Sequence, residues 1–156
     1  MGLALRSLGH GRTVLIAQFM KDGRSGELAA LRRLGGAHVL TAPPMHGFVS
    51  AMTADERQDA ARQQSAFLQE VDAAVRQFQP QLIVLDELAV ALQCRLVSGG
   101  EARRLIDACL LYGETAVTGR GAPDWLTTQA DYVSVIAAAA HPYAAEGLPA
   151  REGIEW

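Results

Sequence analysis

This chain has little cysteine, no long apolar run and no strong excess of charge of either sign. Its two cysteines, Cys94 and Cys109, lack C-x-x-C spacing and its four histidines are scattered, so we expect a reduced, cytoplasmic protein without a zinc site. No apolar run approaches the roughly 18 residues of a membrane helix, and no signal peptide is recognisable, so no membrane association is expected. The 14 basic and 17 acidic residues give a net charge of -3 and form no basic run, which argues against nucleic-acid binding.

What remains is the composition of an ordinary globular domain. The chain has 156 residues, of which 49% are hydrophobic and 20% are charged, so it can bury a substantial core. It contains no internal repeat, low-complexity tract or linker. We therefore expect a single domain over residues 1–156.

Residues 81–88, QLIVLDEL, form the most informative stretch. Residues 82–85 are apolar without alternation, which is typical of a strand covered on both faces of a parallel sheet. Asp86 and Glu87 follow at the carboxyl end of this strand, where open α/β sheets bind ligands. Carboxylates at this position hold Mg²⁺ directly or through water in nucleoside-triphosphate sites. A buried strand that leads into a helix with an acidic first turn gives the same pattern without any ligand.

Apolar periodicity predicts strands that alternate with helices. Helices are predicted over residues 1–8, 27–34, 53–78 and 98–111 and from Pro123 onward, and a helix or extended turn over residues 88–97. Strands are predicted over residues 13–19, 37–41, 82–85, 114–118 and 131–136. Thr53 with Glu56, and Ser98 with Glu101, have capping-box spacing. The remaining tail, residues 141–143 and 151–156, is predicted to be irregular. This alternation predicts a three-layer α/β fold with a mostly parallel sheet.

Polar or glycine-rich loops follow three of the predicted strands. Lys21 and Asp22 follow the first strand, Asp86 and Glu87 end the central strand, and Arg120 lies between two glycines after the strand at 114–118. Because parallel strands end at the same edge of a sheet, we expect these loops to converge. Lys21 is a candidate for binding phosphate, although it could equally face water.

The loop at residues 43–50, PPMHGFVS, is a second candidate ligand surface. It carries Met45, His46 and Phe48 among two prolines and a glycine. Methionine and aromatic side chains in a loop often cap a core, but they also form lids over flat, apolar ligands.

In order and spacing, several of these motifs resemble one known family. The segments TVLIAQFMKDGRSGE, GFVS, QLIVLDEL, TGRGAPDWL, the His-Pro-Tyr step and the terminal REGIEW are similar to those of the P-loop-type ATP:corrinoid adenosyltransferases of the bacterial cobalamin pathway. The resemblance covers nearly the whole chain. It implies a cytoplasmic, usually homodimeric enzyme with a RecA-like sheet. Such enzymes transfer the 5′-deoxyadenosyl group of ATP to the cobalt of a reduced corrinoid, with Mg²⁺, and depend on a reductant, for which a flavoprotein is one candidate.

The resemblance also implies roles for the residues at the strand exits. Asp86 and Glu87 correspond to the carboxylates on the Mg²⁺ side. Lys21 and Arg120 correspond to cations that contact phosphate or order the loops.

For the second loop, the resemblance implies contact with the corrinoid. Phe48, with Met45 in the same loop, corresponds to the aromatic that packs on the corrin and excludes the lower cobalt ligand. Family members often carry a second aromatic two residues later, where this chain has Ser50. This departure predicts weaker exclusion of the lower ligand, or a different corrinoid.

The main departure from the family is the glycine-rich phosphate loop. No G-x-x-x-x-G-K-[ST] sequence occurs in the chain, which starts within what resembles the helix after that loop. We therefore expect a sheet that lacks the first strand and the Walker A loop, leaves an unpaired apolar edge and has impaired activity. Truncation at an internal Met, a genuine start at Met1, and a degenerate paralogue that only binds corrinoid or nucleotide are the alternatives. A fragment of another P-loop ATPase would not explain GFVS, TGRGAP and GIEW together.

Overall fold

The computed structural model describes residues 1–21, 23–45, 47 and 49–154. Within these ranges the chain alternates between helices and strands, as predicted. In chain order the elements are α1 (Gly2–Gly9), β1 (Val14–Gln18), α2 (Gly26–Leu31), β2 (Ala37–Thr41), a 3-10 turn (Val49–Ala51), α3 (Ala54–Phe78), β3 (Leu82–Asp86), α4 (Leu88–Gln93), α5 (Gly99–Leu110), β4 (Glu114–Val117), α6 (Asp124–Gln129) and α7 (Pro142–Glu146).

The strands form a parallel sheet in the order β2-β1-β3-β4. All residues of β1 and the first four of β3 are buried, which explains their continuous apolar sequences. Helices cover both faces of the sheet, so the predicted α/β fold is confirmed and is consistent with the RecA-like architecture that the resemblance implies. Because β1 and β3 are adjacent although distant in sequence, Gln18 is paired in register with Asp86.

Alternate residues of the central strands supply two separate cores. Leu15, Ile83 and Leu85 face the core shared with α3 and α5, whereas Ile16 and Val84 face the core shared with α1 and α2. Burial of each large apolar side chain contributes about 1.5–3 kcal/mol. These two cores fix the strands rigidly and therefore fix the positions of the loops at their ends.

Both predicted capping boxes are confirmed. Thr53 Oγ1 accepts a hydrogen bond from the Glu56 backbone N–H at 3.3 Å, and the Glu56 carboxylate accepts one from the Thr53 N–H at 2.8 Å. Ser98 and Glu101 make the same reciprocal pair at the start of α5. Each box satisfies backbone donors that the first helical turn leaves without partners.

The predicted strand over residues 131–136 is wrong. This segment has no regular structure, and Tyr132 and Ile136 are 94% and 95% exposed. A strand needs a neighbouring strand as well as a suitable sequence, and in the described part of the chain β4 pairs with β3 alone. No described residue pairs with the other side of β4.

The tail is also more regular than predicted. His141 caps the short helix α7, with its Nδ1 accepting a hydrogen bond from the Tyr143 N–H at 3.3 Å. Residues 131–154 are exposed throughout. Among the described residues, no helix combines the length and apolar character needed to cross a bilayer.

Both cysteines are free thiols. Cys109, near the end of α5, is fully buried in the core, and burial, with the nearby Asp72 charge, raises the pKa of its thiol to about 12. Cys94 is half-buried at the end of α4. The thiol of Cys109 is therefore chemically inert at neutral pH.

Candidate functional site

The loops that follow β1, β3 and β4 begin at one edge of the sheet, as the sequence predicts. Backbone hydrogen bonds continue the ladders past the strand ends: the Phe19 N–H donates to the Asp86 carbonyl at 2.9 Å, and the Thr118 N–H donates to the Leu85 carbonyl at 3.1 Å. Asp86 therefore lies between the first residues after its two neighbouring strands.

Three side chains from these neighbouring segments donate to the Asp86 carboxylate. Gln18 Nε2 and Lys21 Nζ each lie 3.1 Å from Oδ2, and Thr118 Oγ1 lies 2.7 Å from Oδ1. The Asp86 side chain is 13% exposed and that of Lys21 is 36% exposed. Because Gln18 comes from β1 and Thr118 follows β4, Asp86 connects all three segments.

These contacts hold Asp86 in its ionised form. Burial by itself raises the pKa of this carboxyl, but the hydrogen bonds from Thr118 and Gln18 and the charge of Lys21 outweigh burial and lower the pKa below its usual value. An ionised carboxylate accepts hydrogen bonds and donates none, so its three donors match its charge. At neutral pH the site therefore contains a fixed negative charge.

Glu87 has an unusual backbone conformation. Its φ of 62° and ψ of 14° lie in the left-handed region, which costs a non-glycine residue about 1–3 kcal/mol. The Glu87 N–H donates to Thr118 Oγ1 at 3.1 Å. The Glu87 carboxylate is half-buried and makes no hydrogen bond or ion pair with the described residues. Its oxygens are available to a ligand.

The T-G-R-G loop after β4 depends on its glycines. Gly119 has a φ of 129°, and a Cβ atom there would lie 2.9 Å from the Val90 backbone nitrogen. Gly121 has a φ of 69°, and a Cβ there would meet the end of the Gln93 side chain. Both positions favour glycine because φ is positive, and the close approach of the Val90 backbone adds a steric requirement at Gly119.

The structure brings only some of the predicted residues together. Lys21 and Asp86 are in contact, and Glu87 follows directly. Arg120 lies in the loop at the same edge of the sheet, with an exposed side chain. Met45 is half-buried in the loop after β2. Phe48, like Asp22 and His46, lies outside the described residues.

The oxygen atoms at the carboxyl end of the sheet are of the kind that bind a hard divalent cation. In the described ranges, no group of three His, Cys, Asp or Glu side chains could hold a metal ion alone. Two adjacent carboxylates fit Mg²⁺, which typically takes one or two protein carboxylates and completes its octahedral shell with water and substrate phosphates. Gln18 Oε1, a fully buried amide oxygen beside Asp86, also lacks a partner among the described residues. These oxygens therefore fit a divalent cation that completes its shell with other ligands.

Sequence reasoning did not identify Gln18 and Thr118 as site residues. Both follow apolar strand residues and look like ordinary strand ends. The signal that could have found them is their position: each lies at the end of a strand next to the one that carries Asp86. Using this signal requires the strand order.

Comparison with known proteins shows the family of this chain. The profile of the family described as "ATP:corrinoid adenosyltransferase BtuR/CobO/CobP" matches residues 1–156. A protein of Pseudomonas aeruginosa PAO1 named "Corrinoid adenosyltransferase" is similar to this chain, with 33% identity over 165 residues that cover 99% of this chain and 75% of the relative. The chain belongs to the ATP:corrinoid adenosyltransferase BtuR/CobO/CobP family.

Proposed function

We propose that this chain, as a single domain over residues 1–156, transfers the 5′-deoxyadenosyl group of ATP to the cobalt of a reduced corrinoid in adenosylcobalamin biosynthesis or salvage. Family membership supports the reaction class and its two substrates. The observation that carries the proposal is the convergence of Gln18, Lys21 and Thr118 on Asp86, beside the available carboxylate of Glu87.

The proposed reaction needs no nucleophile from the protein. The Co(I) of the corrinoid substrate attacks C5′ of ATP with its own electron pair, forms the Co–C bond and becomes formally Co(III). The C5′–O bond breaks, and its electron pair leaves with triphosphate. The tasks left for the protein are to orient C5′ over the cobalt, balance the charge of the leaving group and exclude water.

In this proposal Glu87 and Asp86 provide the carboxylates for Mg²⁺. The Glu87 oxygens are available for direct contact, whereas Asp86 already accepts three hydrogen bonds and suits contact through water. When bound, Mg²⁺ neutralises charge on the triphosphate. Lys21 and Arg120 are the proposed cations for the phosphates. Lys21 is the single lysine of the chain, and its partly exposed ammonium can exchange Asp86 for a phosphate oxygen.

We assign the corrinoid surface to the loop between β2 and α3. Met45 and Phe48 are the residues proposed to contact the corrinoid, with Phe48 as the aromatic side chain. Of the two, the structure describes Met45. Ser50, which is exposed in the 3-10 turn, offers no second ring to exclude the lower cobalt ligand. We also propose a cytoplasmic homodimer that receives electrons from a separate reductant, for which a flavoprotein is a candidate.

Phosphate binding in this proposal rests on Lys21 and Arg120. Residues 1–156 contain no G-x-x-x-x-G-K-[ST] motif to surround the β- and γ-phosphates with backbone N–H groups. We therefore expect residues 1–156 alone to transfer slowly. The alternative is a protein that binds corrinoid or nucleotide without catalysing transfer.

An anaerobic adenosylation assay separates these possibilities. Chemically reduced corrinoid, ATP and Mg²⁺ are mixed with the chain, or with the chain carrying an added N-terminal P-loop segment, and the loss of Co(I) absorbance is followed. Transfer by the extended protein alone supports the proposed function and the dependence on a P-loop. Transfer by both proteins supports the function and contradicts that dependence. If both fold and neither is active, the binding alternative replaces the enzyme.

A further inference from the structure

The hydroxyl of Thr118 makes two hydrogen bonds that join β3 to the segment after β4. It donates to Asp86 Oδ1 at 2.7 Å and accepts from the Glu87 N–H at 3.1 Å. A hydroxyl can donate one hydrogen bond and accept another. The Thr118 side chain therefore bonds both the carboxylate of Asp86 and the backbone N–H of Glu87. A methyl group in its place could make neither contact.

We propose that Thr118 is a positioning residue for the Asp86–Glu87 pair, and that its hydroxyl orients the Glu87 carboxylate for a divalent cation. The inference rests on the proposed function, because that function assigns the cation to this pair. Thr118 itself does not contact the cation in this proposal.

The backbone of Glu87 explains why such a residue is needed. With a φ of 62° this residue lies in a conformation that few side chains adopt unaided. Backbone dihedral angles set the direction of the Cα–Cβ bond, so the conformation of Glu87 decides where its carboxylate can reach. The hydrogen bond from its N–H to Thr118 opposes a return to an ordinary helical or extended conformation.

Thr118 is itself held firmly. Its N–H donates to the Leu85 carbonyl at 3.1 Å, and its carbonyl accepts from the Ala89 N–H at 3.1 Å. The next residue, Gly119, lies against the backbone of Val90. Thr118 is therefore fixed to β3 on one side and to the first turn of α4 on the other, as a residue that orients a ligand must be.

Three variants test the inference. Thr118→Val keeps the shape and removes the hydroxyl, and Thr118→Ser restores it. Thr127→Val is the matched control, because the Thr127 hydroxyl donates to the Asp124 carbonyl within α6 and has no other hydrogen-bond partner in the described part of the chain. The electron paramagnetic resonance spectrum of Mn²⁺ with ATP and the protein, compared with that of Mn²⁺ and ATP alone, reports the cation site without turnover. Exchange of the Glu87 amide hydrogen, followed by NMR without ligand, reports the hydrogen bond itself.

We expect Thr118→Val to weaken Mn²⁺ binding by about tenfold or more, the usual effect of losing a residue that orients a metal ligand. Exchange of the Glu87 amide should accelerate by about tenfold or more. Thr118→Ser and Thr127→Val should match the wild type in both measurements. Wild-type affinity in Thr118→Val, or failure of Thr118→Ser to restore affinity, overturns the inference alone. A wild-type protein that does not bind Mn²⁺ with ATP overturns the assigned cation site and the inference together, and slow exchange of the Glu87 amide in Thr118→Val overturns the inferred contact.

Discussion

Nζ of Lys21, the single lysine of the chain, lies 3.1 Å from Oδ2 of Asp86, 65 residues further along the sequence. This ion pair joins the exit of β1 to the end of β3, where we propose that a polyphosphate and its cation bind. Since the Lys21 side chain is 36% exposed, the pair itself contributes only about 0.2–1 kcal/mol to stability. We therefore propose that Lys21 matters mainly for binding phosphate and little for stability.

Lys21→Met should weaken binding of triphosphate. A charge-assisted hydrogen bond contributes about 1.5–3 kcal/mol, so we expect affinity to fall by roughly ten- to a hundredfold. Isothermal titration with inorganic triphosphate and Mg²⁺ measures this change. Arg12→Met removes an exposed cation that precedes β1 and should have little effect. Equal affinities for Lys21→Met and the wild type would remove Lys21 from the phosphate site.

Glu87→Gln should abolish transfer and leave the fold intact. The described structure uses the backbone N–H of Glu87, which the variant keeps, and makes no hydrogen bond with its carboxylate. The free energy of unfolding in urea should therefore change by less than about 0.5 kcal/mol. Activity is measured in the P-loop-extended protein. Glu114→Gln, at the opposite end of β4, is the control, and normal transfer by Glu87→Gln would exclude its carboxylate from the reaction.

Gly119→Ala should destabilise the protein. The φ of 129° is unfavourable for alanine, and the added Cβ would lie 2.9 Å from the Val90 nitrogen, so we expect a loss of about 1–3 kcal/mol. Gly100→Ala is the control: it lies in the first turn of α5, where the added Cβ would approach only the end of the Arg104 side chain, at 3.7 Å. Urea unfolding compares the two variants. Equal stability would show that the loop after β4 can move away from α4.

Ser65→Ala should destabilise the protein in a pH-dependent way. Hydrogen bonds from Ser65 and Ser98 lower the pKa of Glu101 below its usual value of 4.5. A lowered pKa means that the ionised carboxylate stabilises the folded state above about pH 4.5, and that this stabilisation is lost as the pH falls through the lower folded-state value. We expect a loss of about 0.5–1.5 kcal/mol at pH 7 that shrinks toward pH 3.

Unfolding in urea across this pH range measures the effect of Ser65→Ala, and a double-mutant cycle with Glu101→Gln isolates it. In the Glu101→Gln background, Ser65→Ala should have no pH-dependent component. A loss that stays constant with pH in the wild-type background would contradict a role for the Glu101 charge.

The elements that could be predicted from the sequence are those with local signals. Thr53 and Ser98 could be predicted to begin helices because a capping box joins residues only three apart in sequence. The buried strand before Asp86 is evident because both of its faces are apolar. The convergence of Lys21 with Asp86 follows from a general property of parallel sheets, which fixes the edge at which the loops lie.

The features that could not be predicted depend on partners distant in sequence. Residues 131–136 have a strand-like sequence, but no local signal tells whether a neighbouring strand is available. Thr118 and Gln18 acquire their roles only from the order of the strands. The Glu87 backbone N–H likewise has its hydrogen-bond partner, Thr118, 31 residues away.

The products formed from ATP test the central claim most directly. The P-loop-extended protein is incubated anaerobically with ATP, Mg²⁺ and reduced corrinoid, and the nucleotide products are separated by ion-exchange chromatography. The proposed function predicts triphosphate in a one-to-one ratio with the new Co–C bond, only when corrinoid is present. Formation of ADP and phosphate, or consumption of ATP that does not depend on the corrinoid, would contradict it.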